Sequence, residues 1–549
     1  MSMIFQSSFY QTKRILLVDD CEPIRASIRG MLQQIGFEHI TAVPDAQAAL
    51  EKAELYSFDF ILADFQLGDG LNGYQLFEAL KKREQLKPGC CVVLTSAESM
   101  RQPLFGLIER QPDCYIQKPF TYLTLEKRLA RAIQQRMAVR KVFQALNASV
   151  PQALLECDRV VKDAPQHALY ALRLKAELLL LNGQAELAAT LYQQLLQTRA
   201  FSWAALGQAI AWLQHGQIAA AQAQLLELSK TEETRPEALD WLIRLTLKQQ
   251  PEQALSLSQE LTRVLPQSVD AARVFATITA ISLQWDDAIR LWQKVAQQFR
   301  YSALDSPQHY LNPARLLLWK LQHSKPAQPA LLLSKAEECL QAIPKRFQSD
   351  NLQPELQLLQ ARIAILQGDV LIARALYTEL ASLNWQQLPV AAVVDFALLA
   401  LALGDSKAAD ILAAQLPQRR YGSDLVAAVE AASSEFWQQQ LAQLCQDVRG
   451  WMQQGQQYYR QQSFQHAVSR LWQAFLFMPG NSNLALSLWQ SLASLPPAAK
   501  VQPMLQLVCR TLQQSELEAA GQRRFDALYQ KLSVHYTLPV QDDSSERSA

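Results

Sequence analysis

Leu16-Leu17-Val18-Asp19-Asp20 is an apolar run that stops on an acidic pair, and its reading decides the fold of the N-terminal part of the chain. Working outward, Phe58-Asp59-Phe60-Ile61-Leu62-Ala63-Asp64 stops on a single carboxylate. Cys91-Val92-Val93-Leu94-Thr95-Ser96 stops on hydroxyls, and Cys114-Tyr115-Ile116-Gln117-Lys118-Pro119 on a cation followed by proline. Short β-branched and apolar runs separated by longer amphipathic segments predict parallel strands alternating with helices. In such sheets the ligand site lies outside the carboxyl ends of the strands. Asp19, Asp20, Asp64, Thr95 and Lys118 all fall at strand ends, so they are expected to converge on one site.

Three carboxylates brought together repel unless a cation neutralises them. Mg²⁺ suits such a place, because it takes one or two carboxylates and keeps several waters. Phosphate oxygens can replace those waters. Thr95 adds a hydroxyl donor and Lys118 a point charge, both suited to phosphate. A carboxylate such as Asp64 can then attack a phosphoryl group and form an aspartyl-phosphate.

These residues resemble the receiver domain of bacterial two-component response regulators, over roughly residues 12–135. The resemblance implies a five-stranded, doubly wound α/β fold of the flavodoxin-like kind. It implies Asp64 as the phosphoacceptor and Asp19 with Asp20 as the pair that holds Mg²⁺. The third protein ligand in the family is a backbone carbonyl two residues past the acceptor, here that of Gln66. Thr95 and Lys118 match the phosphate-sensing hydroxyl and lysine, and Tyr115 matches the switch aromatic. Lys118-Pro119 matches a peptide bond that is cis in the family. The chain departs from the pattern after the acceptor: Gly68 and Asn72 stand where receivers usually carry proline and glycine, and the glycine comes at Gly73. The loop from Gln66 to Gly73 therefore reads as one residue longer and more flexible.

The receiver takes up less than a quarter of 549 residues, of which 49% are hydrophobic and 19% charged, so several domains are expected. A net charge of +1 gives no global field favouring nucleic acid or an anionic membrane. Eight scattered cysteines form no Cys-x-x-Cys pair, which argues against a zinc site or disulfide framework and for a reducing cytoplasm. The N-terminus lacks the basic start and apolar core of a signal peptide, and no run of about 18 apolar residues predicts a membrane span.

Residues 1–11 read as an N-terminal extension and 136–151 as a basic helical linker, carrying Arg136, Arg140 and Lys141. After Pro151, strand signals nearly vanish and apolar residues recur at helical spacing. Ala188, Ala221, Ala254 and Ala288 lie 33 or 34 residues apart, the period of tetratricopeptide repeats. Tyr192, Leu225, Ser258 and Trp292 follow them by four residues, and Gly183 and Gly216 precede the first two by five. Gly368 with Ala373, Gly404 with Ala409, and Gly455 with Tyr458, Ala467 and Ala474 look similar. Small residues let paired helices approach closely, and prolines such as Pro165 and Pro266 stop the second helix.

The region thus resembles tetratricopeptide repeats in degenerate form. Residues 152–300 and 354–538 are assigned to a large all-α solenoid, and 301–353 to an irregular helical pair or a join between two arrays. Residues 539–549 are polar and expected to be disordered.

No catalytic constellation is evident in the helical part, so no enzyme activity is expected beyond the receiver's own phosphoryl chemistry. Trp203, Trp212, Trp285 and Trp292 read as repeat core. The function expected is phosphorylation-gated protein–protein interaction. A sensor histidine kinase or phosphotransfer protein would act on Asp64, and the solenoid would hold a protein partner through its concave surface. An adaptor or phosphate sink acting on a partner kinase or regulator is the alternative. A DNA-binding regulator would need a compact helix-turn-helix. Residues 500–540 carry Arg510, Arg523, Arg524 and Lys531 mixed with acidic residues, and no such motif.

Overall fold

The computed structural model describes residues 7–68, 71–87, 89–96, 112–266, 268–300, 304–323, 328–347, 352–381, 383, 388–415, 424–515 and 517–539. The expected disordered tail, beyond Pro539, lies outside them, as do Asp69 and Gly70 of the acceptor loop and residues 1–6 of the extension. The chain divides into two compact units: Met1–Ala271 with Phe299–Asp305, and Ala272–Gln298 with Ser306–Ala549.

The first unit opens with α1 (Ser7–Gln11), β1 (Arg14–Val18), α2 (Glu22–Ile35), β2 (His39–Val43), α3 (Ala46–Leu55), β3 (Phe60–Asp64), α4 (Gly73–Lys82), β4 (Cys91–Ser96), β5 (Cys114–Gln117) and α5 (Tyr122–Ala138). The strands form one parallel sheet in the order β2-β1-β3-β4-β5, the doubly wound arrangement expected. Period-two alternation splits its residues between two cores. Ile15, Leu17 and Leu62 face a core shared with Leu32 and Leu129, while Leu16, Val18 and Ala63 face one shared with Leu50 and Leu76. Both faces are covered, which is why the strands read as continuous apolar runs.

The extension is more than a lead-in. Tyr10 is fully buried, its ring 4.9 Å from Phe37 and 6.4 Å from Phe60.

The segment expected as a linker is likewise packed. α5 ends at Ala138 with Val139 as its cap, and α6 (Arg140–Leu146) pairs with α7 (Val150–Asp163) around Val139, Val142, Ala153 and Cys157. Arg136 reaches back to Asp113 before β5 at 3.0 Å and lies 5.6 Å from the Phe143 ring of α6. One guanidinium therefore touches both the receiver and the first helix that follows it.

Everything described beyond this point is helical. In the first unit α8 (Ala168–Leu181), α9 (Ala185–Thr198), α10 (Ser202–Gln214), α11 (Ile218–Lys230), α12 (Arg235–Thr246) and α13 (Pro251–Val264) each pack on the next. α14 (Val269–Ile281) and α15 (Trp285–Phe299) follow and belong almost wholly to the second unit. In the second unit come α16 (Gln308–His323), α17 (Pro329–Gln341), α18 (Gln353–Gln367), α19 (Val370–Leu380), α20 (Val390–Ala402), α21 (Ser406–Gln415), α22 (Leu425–Arg460), α23 (Phe464–Phe477), α24 (Ser482–Ala493), α25 (Gln502–Gln513) and α26 (Ala519–Ser533). The first helices of successive pairs touch, α16 with α18, α18 with α20 and α20 with α22, as in a solenoid.

Ala188, Ala221, Ala254, Ala288, Ala373, Ala409 and Ala467 are all buried. Close approach explains two glycines. A Cβ on Gly207 would come within 2.4 Å of the Tyr192 ring, and one on Gly455 within 2.6 Å of Leu471. Of the tryptophans assigned to the repeat core, Trp292 is buried, while Trp203, Trp212 and Trp285 are partly so.

The proline-rich stretch holds a regular pair, α16 and α17, and α16 runs through Pro313. α22 spans 36 residues, a length the repeat period does not foretell.

Candidate functional site

Register, not loop geometry, assembles the site. Val18 pairs with Ala63, so Asp19 leaves β1 beside Asp64 at the end of β3. Asp64 itself pairs with Thr95, and the Lys118 N–H bonds the Ser96 carbonyl at 2.7 Å. Lys118 Nζ then lies 2.8 Å from Asp19 Oδ2 and 3.0 Å from Asp64 Oδ1, and Thr95 Oγ1 donates to Asp64 Oδ1 at 3.2 Å. Asp19 and Thr95 are buried, and Asp64 is 9% exposed. Asp20 is exposed, and its carboxylate faces the loop after β3, 3.5 Å from where a Cβ on Gly68 would stand. The Lys118-Pro119 peptide is cis.

Burial pushes the Asp64 carboxyl up. The hydrogen bond and charge of Lys118 pull it down, Asp19 adds repulsion, and the outcome is above the ordinary aspartate range. Burial works against the Lys118 ammonium, but its bonds to Asp19 and Asp64 outweigh that and raise it. Three carboxylates against one ammonium leave a formal charge of −2, which one divalent cation would neutralise. No group of three or more His, Cys, Asp and Glu side chains is gathered for a metal among the described residues. Mg²⁺ needs only one or two carboxylates besides water. The donor set of hard oxygens therefore fits it, with Asp19, Asp20, Asp64 and the exposed Gln66 as the residues that could hold it.

Tyr115 packs beside the apolar core on the α3–α4 face, and its buried hydroxyl has no hydrogen-bond partner among the described residues. Burial pushes its phenol well above the ordinary range.

Two supports escaped the sequence reading. Arg25 of α2 donates to the Asp19 carbonyl at 2.6 Å, while Asp19 Oδ1 accepts from the Cys21 N–H at 3.0 Å, so the acidic pair is held from the following helix. Asn72 and Gln75 form a capping box on α4, and Gly73 is pressed against the backbone carbonyl of Asp64. The Asn-Gly pair where a glycine and its neighbour were expected carried that signal, since a side chain at 73 would collide with the acceptor's own backbone.

The family model described as "Response regulator receiver domain" matches residues 15–130. Chemotaxis protein CheY-3 of Vibrio cholerae is 29% identical over 122 residues, covering 22% of this chain and 92% of that protein. Chemotaxis protein CheY of Pseudomonas aeruginosa is 28% identical, covering 22% of this chain and 97% of that protein. Among solved structures, chemotaxis response regulator CheY4 of Vibrio cholerae is 25% identical, covering 22% of this chain and 98% of that one, with a TM-score of 0.20. The receiver domain of the sensor histidine kinase PA1611 of Pseudomonas aeruginosa, which has a magnesium ion coordinated in its active-site cleft, is 26% identical. It covers 22% of this chain and 98% of that one, with a TM-score of 0.20. Residues 15–130 are a response regulator receiver domain, followed by a region whose described part is all helical.

Proposed function

We propose that the chain is a phosphorelay response regulator that accepts a phosphoryl group on Asp64 from a histidine kinase or phosphotransfer protein. The observation that carries this reading is Lys118, whose ammonium bridges Asp19 and Asp64 while Thr95 donates to the same Asp64 oxygen. In the transfer an Asp64 carboxylate oxygen attacks phosphorus in line. The P–N bond to the donor imidazole breaks, and the imidazole nitrogen keeps the electron pair and takes up a proton. Lys118 offsets charge developing on the phosphoryl oxygens, and Thr95 exchanges its bond to Asp64 for one to phosphate. Asp19, Asp20, Asp64 and the Gln66 carbonyl would hold a Mg²⁺ ion, which would supply further positive charge there. No other enzymatic activity is assigned.

The helical region, with its buried alanines at the tetratricopeptide spacing, is read as a solenoid that holds a protein partner. Phosphorylation changes partner affinity through Thr95 and Tyr115. A coupling of ~1–3 kcal/mol corresponds to roughly 5–150-fold. Among the described residues no helix is long and apolar enough to cross a membrane, and the reading places the protein in the cytoplasm.

The test has two parts. The full chain with acetyl phosphate and Mg²⁺ is expected to gain the mass of one phosphoryl group, and Asp64→Ala to gain none. Pull-downs from cell extract with and without beryllofluoride, which stands in for the phosphoryl group on the carboxylate, are expected to differ for one partner in the wild type only. Equal recovery in all samples would leave a phosphate sink.

A further inference from the structure

Inside the second unit α14, α15, α16, α18, α20 and α22 line a half-open cavity of about 400 Å³. That falls in the range of small-molecule sites, roughly 300–1,000 Å³. Its floor is a buried charged cluster. Arg315 donates through Nε to Asp395 at 2.6 Å, through Nη2 to Glu355 at 2.5 Å, and through Nη1 to Gln308 and Asn312. Arg362 donates through Nη1 to the other Asp395 oxygen at 2.5 Å. All four charged side chains are at most 10% exposed.

The cluster is neutral in formal charge but unequal in donors and acceptors. A guanidinium carries five N–H donors. Arg315 directs all three of its nitrogens at acceptors. Arg362, 4% exposed, has only its bond to Asp395 and a long 3.5 Å approach to Gln322 among the described residues. Asn312 spends its carbonyl on Arg315, so its amide N–H groups remain for the cavity it lines. Both Asp395 oxygens already accept from arginines. The unfilled hydrogen-bonding capacity of this floor is therefore in donors, three of them on the Arg362 cation. Burial lowers the Arg362 pKa against the charge and hydrogen bond of Asp395, and the repulsion of Arg315 adds to the lowering; an added negative charge would favour the cation.

The walls are of a different kind. Trp292, Trp319 and Trp437 line the cavity, with Trp319 and Trp437 edge to face at 4.7 Å. Flat aromatic walls over a donor floor specify a ligand with two ends.

We propose that this cavity binds a small organic anion with a flat apolar body, its carboxylate on Arg362 and Asn312 and its body against the tryptophans. Nothing in the receiver's phosphoryl chemistry requires such a site, so this inference stands apart from the function proposed above.

The probes are naphthylacetate and its neutral alcohol, naphthylethanol, titrated calorimetrically into the full-length protein. The acid is expected to bind saturably at one site per chain, and the alcohol about tenfold more weakly or worse, since a charge-assisted bond is lost. Arg362→Gln is expected to erase that preference while circular dichroism stays native. Three results would overturn the proposal: equal affinity of acid and alcohol, a preference that survives in a folded Arg362→Gln, or no saturable binding of the acid. If Arg362→Gln does not fold, the neutral alcohol still decides, because it removes the charge without altering the protein.

Discussion

Two charged clusters in this molecule, one at the rim of the receiver sheet and one buried among helices, are built on opposite principles. In the receiver, Asp19 and Asp64 flank a single Lys118 with the exposed Asp20 next to Asp19 in the chain, a formal excess of two negative charges at the rim of a sheet. In the second helical unit, Arg315, Glu355, Asp395 and Arg362 cancel in charge and sit deep among helices. An uncompensated negative set is a place for exchange, because a cation can complete it and leave again. A compensated set acts as a lock. Breaking a buried pair strands a charge, even where a well-packed apolar replacement of the whole set would be tolerated.

The widest separation between the two comes from the acceptor. Asp64→Asn is expected to abolish phosphoryl incorporation from acetyl phosphate, read by intact mass, while leaving the thermal midpoint close to that of the wild type. A variant that still incorporates would move the acceptor elsewhere.

Asp395→Asn tests the opposite cluster. It leaves two arginines facing one carboxylate, and is expected to cost about 3–5 kcal/mol in urea unfolding with no loss of phosphorylation. If it costs nothing, the lock reading fails.

Lys118→Gln sharpens the contrast on the receiver side. It is expected to slow phosphorylation by roughly a hundredfold, as for removal of a donor to developing charge. It also leaves three carboxylates without a cation, so its stability deficit is expected to be larger in chelator than in Mg²⁺, as measured by paired melts.

The smallest effect concerns His323, stacked on Trp319 with centroids 4.0 Å apart and bonded through Nδ1 to the Trp319 carbonyl. Burial lowers its pKa below the ordinary histidine value, and Arg362 nearby adds to that. The unfolded chain therefore binds the proton more readily. Stability from the neutral ring is complete above about pH 6.5 and is lost as the pH falls toward the lower folded value. Melting temperatures taken from pH 8 toward about pH 5 are expected to fall less steeply in His323→Gln. Identical slopes would place the acid sensitivity in other groups.

How far each region was legible follows from the same contrast. The receiver's chemistry sits at strand ends, and a parallel strand announces its end in one dimension, as an apolar run that stops. Asp19, Asp64, Thr95 and Lys118 could therefore be picked out before any contact was known, and parallel register alone brings them together. The periodic alanines were legible for a similar reason, since paired helices need small residues at repeating positions. Their surroundings were less so. Tyr10 in an apparent extension and Arg140–Leu146 in an apparent linker look like connecting sequence, and only their burial against Phe37 and Ala153 makes them core.

The sequence by itself determined a five-stranded receiver with its candidate acceptor, and a long helical region of paired helices, because both rest on local periodicity. Only the tertiary structure decided that Arg315 meets Asp395 eighty residues away and Glu355 forty away. On their own helices these are lone charges in apolar stretches, with no spacing that distinguishes them from surface residues. They become a cluster only when α16, α18 and α20 pack side by side, and the cavity beside them exists only in that packing.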